Sequence, residues 1–193
     1  LKNKNNTRKK LCEDVKILST NSDVLTNDKL LELKDRIKVY KPHIMGISEV
    51  LPKNFENPIF KEVYEIEDYE LIVHQNVIDN KGMGSLMYVR KDMVGKEINF
   101  DFKEGSFDEG IFYEMNLKGT DRLLIASLYR RGASTEKNNR LLIKLFHAIV
   151  QKKYSHIIIM GDINLKEIDW DALMSNSSNE EDFSSQFVEC VRE

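Results

Sequence analysis

The sequence has little cysteine, glycine or proline, and it lacks long apolar runs. With 9 Gly and 3 Pro among 193 residues, collagen-like and low-complexity chains are excluded. Cys12 and Cys190 lie near opposite ends, which is not the pattern of a disulfide framework and favours a reducing compartment. No stretch approaches the roughly 18 apolar residues that cross a membrane, so we expect a soluble, intracellular protein with no membrane partner.

Charge is nearly balanced overall but is unevenly distributed along the chain. The formal net charge is -3 and the pI is about 5.9, so no overall basic signature of nucleic-acid binding is present. Residues 1–10 nevertheless carry five basic side chains and no acid. We predict a basic arm over residues 1–14, either solvated or in contact with a polyanion. The segment LCEDVKILST is too charged for a signal-peptide core, so secretion is not expected.

The composition of the remaining chain is that of a globular domain. The hydrophobic fraction is 41%, and about 180 residues suit a single domain, so we predict one domain over residues 15–193. The sequence starts with Leu1 and stops at Glu193 within a helix-like pattern. We therefore expect it to be a piece of a longer protein.

Apolar periodicity predicts helices at both ends of a strand-rich middle. The predicted strands are Val15–Ser19, Ile44–Ser48, Tyr69–Val73, Ser85–Arg90, Ile98–Phe102, Ile111–Leu117, Leu123–Tyr129 and His156–Met160. The predicted helices are Lys29–Tyr40, capped by Asn27 or Asp28, a second capped by Ser134, and Asp182–Arg192. The first strand–helix–strand unit is predicted to be parallel and the middle strands antiparallel. The pattern favours an α/β sandwich of mixed sheets with outer helices.

The sharpest local signal is the apolar strand that ends in Gly161-Asp162-Ile163-Asn164. Clefts in α/β folds lie at the carboxyl ends of strands. An aspartate that holds or deprotonates a water, beside an asparagine that orients it, suits metal-assisted hydrolysis. An Asx-turn, in which Asp162 bonds only to the backbone ahead, is the alternative.

Two other predicted strands also end in polar groups. Glu49 follows the strand Ile44–Ser48, and Asn21 and Asp23 follow the first strand. Carboxylates on separate strands fit a hard, oxygen-preferring cation such as Mg²⁺. The alternatives are a solvated loop residue for Glu49 and helix capping or a turn for Asn21 and Asp23.

The strand Leu123–Tyr129 leads into two arginines. A phenol and guanidinium groups at a cleft edge suit a phosphate. Tyr129 as a rim aromatic, with Arg130 and Arg131 as solvated loop charges, is the alternative.

Taken in order, these segments resemble the endonuclease/exonuclease/phosphatase superfamily, which has the DNase I-like fold, and most closely the endonuclease domain of jockey-like non-LTR retrotransposons. The likeness lies in Ser19–Asn27 (STNSDVLTN), Lys41–Val50 (KPHIMGISEV), Ser127–Arg130 (SLYR), Gly161–Asn164 (GDIN) and Ile168–Trp170 (IDW). The resemblance implies a four-layer α/β sandwich.

The resemblance also implies a role for each of these polar residues. Glu49 would bind Mg²⁺ or Mn²⁺, supported by Asn21 and, as in some relatives, by Asp23. Tyr129 would contact the scissile phosphate, with the Arg130 guanidinium beside it.

Asp162 would activate or position the attacking water, and Asn164 would orient it. The implied reaction is Mg²⁺-dependent nicking of DNA, which leaves a 3′-hydroxyl that could prime a reverse transcriptase encoded downstream in the parent polyprotein. A functional protein of this kind would act in the nucleus.

The sequence departs from the family pattern in two ways. Arg131 stands where relatives usually have proline, and the Ser-Asp-His motif that ends the family's catalytic set is absent from the 193 residues. We therefore expect the C-terminal strands to be missing, part of a sheet edge to be exposed, and activity to be impaired. A non-catalytic remnant or interaction fragment is one alternative. A phosphatase or phosphodiesterase of the same superfamily is another, although Ile168-Asp169-Trp170 argues against it.

Overall fold

Two four-stranded sheets form the centre of the protein in a computed structural model that describes residues 14–53, 61–79, 83–117, 119–179 and 181–192. The first sheet contains β1 (Ile17–Asn21), β2 (Ile44–Leu51), β3 (Tyr69–Val73) and β4 (Met83–Arg90). The second contains β5 (Gly95–Ile98), β6 (Gly110–Asn116), β7 (Arg122–Tyr129) and β8 (His156–Asp162). The cysteine Cys12 and the predicted arm, except its last residue, lie outside the described residues.

The helices and short elements connect these strands. The helices are α1 (Asn27–Tyr40), α2 (Gln75–Ile78), α3 (Glu136–Gln151) and α4 (Phe183–Arg192). A 3₁₀ turn covers Lys61–Tyr64, and β9 (Ile168–Asp169) pairs with β10 (Met174–Ser175) in a two-stranded sheet. No helix in these described ranges has both the length and the apolar character needed to cross a bilayer.

Each sheet combines one parallel pair with antiparallel pairs. The strand order is β1-β2-β4-β3 in the first sheet and β5-β6-β7-β8 in the second. Helix α1 connects the parallel strands β1 and β2, and α3 connects the parallel strands β7 and β8; the other neighbours are antiparallel. The predicted parallel opening and the antiparallel middle are therefore confirmed.

Three apolar clusters separate four layers. Between the sheets pack side chains that alternate along the strands, including Ile44, Met87, Val89, Tyr113 and Ile125. On the outer face of the first sheet, α1 contributes Leu30, Leu33 and Ile37. On the outer face of the second sheet, α3 and α4 contribute Leu142, Leu145, Phe187 and Val188. The four-layer sandwich with outer helices is confirmed.

Both predicted helix caps were one residue or more from the true cap. Thr26 and Thr135 have extended backbones, and their hydroxyls accept bonds from Lys29 N (3.4 Å) and Asn138 N (3.2 Å). This geometry satisfies an amide in the first turn that has no partner within the helix. Ser134 does not cap α3; its hydroxyl accepts from the side chain of Asn138 at 2.9 Å.

Two strand predictions were displaced. The first strand runs over Ile17–Asn21 instead of Val15–Ser19, and the fifth over Gly95–Ile98 instead of Ile98–Phe102. Beyond Ile98 the chain folds into a tight turn in which Phe102 and Gly105 exchange backbone bonds. Apolar content misled the prediction here, because Phe100 is buried as a loop residue in the outer cluster.

Strand β8 is only partly buried, although its residues are mostly apolar. Within the described residues β8 is the edge strand of its sheet, and Ile157 is 40% exposed. A groove of about 760 Å³ follows the strand from Ile157 to Asp162, between Phe146 of α3 and Phe187 of α4.

Candidate active site

The carboxyl ends of four strands meet where the two parallel pairs face each other. Asn21 ends β1, Tyr129 ends β7 and Asp162 ends β8, while Glu49 lies near the end of β2. Asn21 Nδ2 donates to Asp162 Oδ2 at 3.2 Å, and Tyr129 Oη donates to Glu49 Oε1 at 2.8 Å. These bonds join residues 141 and 80 positions apart in the sequence, and each links one sheet to the other.

Glu49 lies on a β-bulge that exposes its side chain. The register between β2 and β4 shifts between Ser48 and Leu51, and Glu49 has a φ of 55°. Val24 N donates to Glu49 O at 2.8 Å, and the Ser22 hydroxyl lies 2.9 Å from the carbonyl oxygens of both Ser48 and Glu49. Bulges next to active sites often redirect a side chain in this way. Glu49 is accordingly the one residue of β2 that is not buried.

Gly161 is required by the backbone next to Asp162. Its φ is 125°, and a Cβ atom there would lie 1.9 Å from the carbonyl oxygen of Leu128. Side-chain-bearing residues rarely adopt this conformation. The close approach fixes the end of β8 against β7, where Tyr129 and Asp162 are paired.

Both oxygens of the Asp162 carboxylate are used. Oδ1 accepts from Asn164 N at 2.9 Å, which is the Asx-turn bond, and Oδ2 accepts the bond from Asn21 across the sheets. The Asx-turn, which the sequence offered as the alternative to a catalytic role for Asp162, therefore forms together with a contact between the sheets. A carboxylate held by two donors has a fixed orientation.

Asn21 and Asp23 form a turn at the end of β1. Asn21 Oδ1 accepts from Asp23 N at 2.9 Å, and Asp23 and Val24 have φ values of 41° and 68°. In the part of the chain that the structure describes, no bond joins the exposed Asp23 carboxylate to the other site residues. Asn21 is thus part of the cluster, whereas Asp23 contributes only its backbone N–H, which bonds to the Asn21 side chain.

The Tyr129 phenol is buried and protonated. Its side chain is 3% exposed. Burial raises the pKa of the Tyr129 phenol strongly, and the hydrogen bond to Glu49 and the negative charges of Glu49, Glu109 and Asp162 raise it further. A neutral phenol can only donate its proton to a carboxylate or a phosphate oxygen.

The Arg130 guanidinium bonds to none of the side chains of Asn21, Glu49, Tyr129 and Asp162. Its side chain is buried, with Nε bonded to Asn139 Oδ1 at 2.8 Å and NH1 at 3.2 Å from the carbonyl oxygens of both Ile163 and Asn164. The expected contact between Arg130 and a substrate phosphate is not favoured by this arrangement, because these donors are engaged within the protein.

Arg131, which replaces the proline expected from the resemblance, pairs with a buried acid. Its Nε and NH2 lie 3.1 Å and 2.9 Å from Glu109 Oε1. Glu109 is 1% exposed, and its carbonyl accepts from Tyr129 N at 2.9 Å. This ion pair therefore borders the backbone that carries the phenol.

The architecture resembles that of several solved structures. It is similar to the endonuclease domain of TRAS1, a telomere-specific non-LTR retrotransposon, with a TM-score of 0.64 and 12% identity over 93% of this chain and 70% of that chain. An AP endonuclease from Archaeoglobus fulgidus gives a TM-score of 0.60 and 17% identity with the same two coverages. Humanized TDP2 of D. rerio gives 0.51 and 17% over 79% of this chain and 63% of that one. The chain has the DNase I-like fold.

Two facts limit what this structural similarity shows. The chain spans 63% of the TDP2 chain and 70% of the other two. No protein-family model and no curated protein sequence matches it. The shared feature is therefore the DNase I-like architecture.

The donor chemistry of the cluster at these strand ends suits a hard divalent cation. No group of three or more His, Cys, Asp or Glu side chains gathers among the described residues. The cluster offers instead the carboxylates of Glu49 and Asp162 and the amide of Asn21. Mg²⁺ commonly binds proteins through one or two carboxylates and keeps several waters and substrate oxygens. The residues present therefore fit Mg²⁺ or Mn²⁺.

Sequence reasoning missed three residues that support the site. They are Ser22, which holds the bulge; Glu109, which lies behind Tyr129; and Asn139, which binds Arg130. No sequence signal singled out Asn139, because it lies in the polar first turn of α3, between Asn138 and Arg140. Ser22 and Glu109 lie in loops whose spacing gives no such signal.

Proposed function

We propose that this protein hydrolyses phosphodiester bonds of DNA with the help of Mg²⁺ or Mn²⁺, as the endonuclease of a non-LTR retroelement. The observation that carries the proposal is the cross-sheet cluster of Asn21, Glu49, Tyr129 and Asp162 at the carboxyl ends of two parallel strand pairs. The similarity to the TRAS1 endonuclease domain supports the retroelement assignment. A downstream reverse transcriptase and a nuclear location belong to the same proposal.

Each residue of the cluster has a defined task in this reaction. Glu49 and Asn21 would hold the cation, which when bound offsets the negative charge that develops on the phosphoryl oxygens. Asp162 accepts a proton from, or orients, the attacking water. The neutral Tyr129 phenol donates to a phosphate oxygen once a substrate competes for its proton. Asn164 shapes the turn that aims Asp162.

Activity of the isolated 193 residues should be low. No Ser-Asp-His sequence occurs in them, and the resemblance implies that this motif supplies a histidine on the phosphate. Loss of a positioned proton-transfer group lowers rates by about 10² to 10⁴. We therefore expect slow, cation-dependent nicking.

Nicking of a supercoiled plasmid in Mg²⁺ or in EDTA tests the proposal. Glu49→Gln and Asp162→Asn should abolish the Mg²⁺-dependent nicking. Asp169→Asn is the matched control, because Asp169 is an exposed acid whose Oδ1 accepts from Asp171 N and Ala172 N at 3.0 Å, and the amide keeps this acceptor oxygen. Equal nicking by all variants would contradict the proposal.

Thermal stability provides a readout that does not depend on turnover. A cation that binds the folded state raises Tm, so Mg²⁺ should stabilise the wild type and Asp169→Asn but not Glu49→Gln. An unchanged wild-type Tm at millimolar Mg²⁺ would favour the non-catalytic remnant. Turnover of an inositol phosphate without nicking of DNA would favour the phosphatase.

A further inference from the structure

Arg130 is a buried cation whose hydrogen-bond partners are uncharged, and the carboxylate of Glu167 acts on it only electrostatically. The residue is 5% exposed, although it follows directly after β7. Its guanidinium bonds to an amide oxygen and two backbone carbonyls, and it stacks on the ring of Phe183 with 4.9 Å between Cζ and the ring centroid. Burying a charge is unfavourable unless hydrogen bonds replace its water. The burial of the Arg130 guanidinium therefore depends on the geometry of these particular acceptors.

The contacts between Arg130 and the turn at 162–164 run in both directions. NH1 of Arg130 donates to the carbonyl oxygens of Ile163 and Asn164, both at 3.2 Å. In return, Asn164 Nδ2 donates to Arg130 O at 3.0 Å, and Arg130 N donates to Asp162 O at 2.8 Å. The arginine thus bonds to the backbone or side chain of every residue from Asp162 to Asn164.

The turn includes a residue with a left-handed backbone. Asn164 has a φ of 51°, which is uncommon for a residue other than glycine. Its amide N–H is the donor to Asp162 Oδ1, so the conformation of Asn164 sets the orientation of the Asp162 carboxylate. Strained residues persist at functional sites only when their surroundings hold them.

Arg130 also connects this turn to the outer helices. Nε donates to Asn139 of α3 at 2.8 Å, and the stacked ring of Phe183 is the first residue of α4. These helices are fixed in the outer core by Leu142, Leu145 and Phe187. The guanidinium thereby connects the turn that carries Asp162 to two helices whose positions are fixed by packing.

We propose that Arg130 is a positioning residue that fixes the Asp162 carboxylate by clamping the turn at 162–164 between α3 and α4. It acts through the backbone of the turn and makes no contact with substrate. This inference rests on the proposed function for its effect on rate, whereas its effect on the turn follows from the contacts alone. It replaces the phosphate contact expected for Arg130 from the sequence.

Nicking kinetics separate a positioning role from a phosphate contact. Arg130→Met keeps the length of the side chain and removes its hydrogen-bond donors. We expect kcat to fall by up to about 10²-fold, because a small misplacement of a catalytic group has an effect of this size. KM and the salt dependence of DNA binding should not change. A phosphate contact would instead raise KM and reduce the salt slope by about one. That second pattern would overturn the proposal.

Two further variants keep the test independent of folding. Arg130→Lys retains charge and bulk but lacks the fork, so it should fold and still lose part of kcat. Asn139→Ala removes the Nε acceptor at a residue on α3, and Asn139→Ala combined with Arg130→Met should be no slower than Arg130→Met alone. Arg140→Met is the control, since Arg140 is an exposed residue on the same helix that pairs with Glu136. If the losses from Asn139→Ala and Arg130→Met add in the double variant, a shared clamp is contradicted.

Amide hydrogen exchange tests the clamp without catalysis. We expect at least a tenfold faster exchange of the Asn164 and Arg130 amides in Arg130→Lys, with the amides of β6 unchanged and no change in Arg140→Met. Unchanged exchange at Asn164 would overturn the proposal even if the wild type nicks DNA. If Asn164 exchanges faster in Arg130→Lys but the wild type does not nick DNA, the clamp is upheld and the proposed function is rejected.

Discussion

The Tyr129 hydroxyl donates a 2.8 Å hydrogen bond to Glu49 Oε1, and this bond joins the end of β7 in one sheet to the bulge of β2 in the other. The donor is buried and the acceptor is partly exposed. Glu49 thus has one oxygen fixed from inside the protein, while its position at the bulge presents the carboxylate to the cleft. The phenol orients the proposed metal ligand before any cation arrives.

Removal of this hydroxyl should destabilise the protein. Tyr129→Phe deletes one hydrogen bond to a charged acceptor, an interaction worth about 1.5 to 3 kcal/mol, and partial exposure of Glu49 places the expected loss near the lower limit. Urea unfolding at pH 7 measures it. Tyr40→Phe, at a residue 59% exposed, is the control and should change the free energy of unfolding by less than about 0.5 kcal/mol. Equal values for both variants would show that the bond contributes nothing.

Gly161→Ala should be among the most damaging single-methyl substitutions in the chain. The new Cβ would meet the Leu128 carbonyl at 1.9 Å, and φ is 125°. Overpacking costs about 1 to 3 kcal/mol and left-handed backbone adds about 1 to 2 kcal/mol. We expect a loss of about 3 kcal/mol or more in urea unfolding. Gly132→Ala is the matched control, because no atom beyond its chain neighbours lies within 4 Å of the point that a Cβ would occupy; a similar loss there would refute the steric explanation.

His43 should make stability depend on pH. Burial lowers the pKa of the His43 imidazole, and Arg90 and Lys16 lower it further, against a smaller opposing effect of Asp92. The unfolded chain then binds the extra proton more readily, so the folded state loses stability as pH falls below the unfolded pKa of about 6.5. His43→Asn keeps an acceptor for Lys16 N, which bonds to Nδ1 at 2.8 Å. Its free energy of unfolding, measured from pH 7.5 to 5, should fall less than that of the wild type; parallel curves would contradict this assignment.

The ion pair behind Tyr129 gives a fourth prediction. Arg131→Met leaves the buried Glu109 carboxylate without the guanidinium that now lies 2.9 Å from it. Breaking a buried pair from one side costs about 3 to 5 kcal/mol, and the partial exposure of Arg131 should keep the loss below that range. Glu109→Gln with Arg131→Met should recover part of the loss, because no uncompensated charge remains. A double variant that is less stable than Arg131→Met would show that Glu109 is held by groups other than Arg131.

The sequence alone determined the order of elements and most of the polar cluster. Alternating apolar positions placed seven of the eight main strands within about two residues of their true starts, since burial on one or both faces imposes that pattern. Polar residues at strand ends indicated Asn21, Glu49, Tyr129 and Asp162, because parallel strands bring their carboxyl ends to one edge. The pattern failed where apolar residues are buried outside strands, as at Phe100.

Only the tertiary structure decided how those residues act. It stacked the two parallel pairs so that Asn21 meets Asp162 and Tyr129 meets Glu49, contacts that no local pattern encodes. It directed the Arg130 guanidinium toward Asn139 and the turn at 162–164. Spacing along a chain specifies which residues reach an edge, but the direction of each side chain depends on bulges, positive φ angles and neighbours supplied by distant segments.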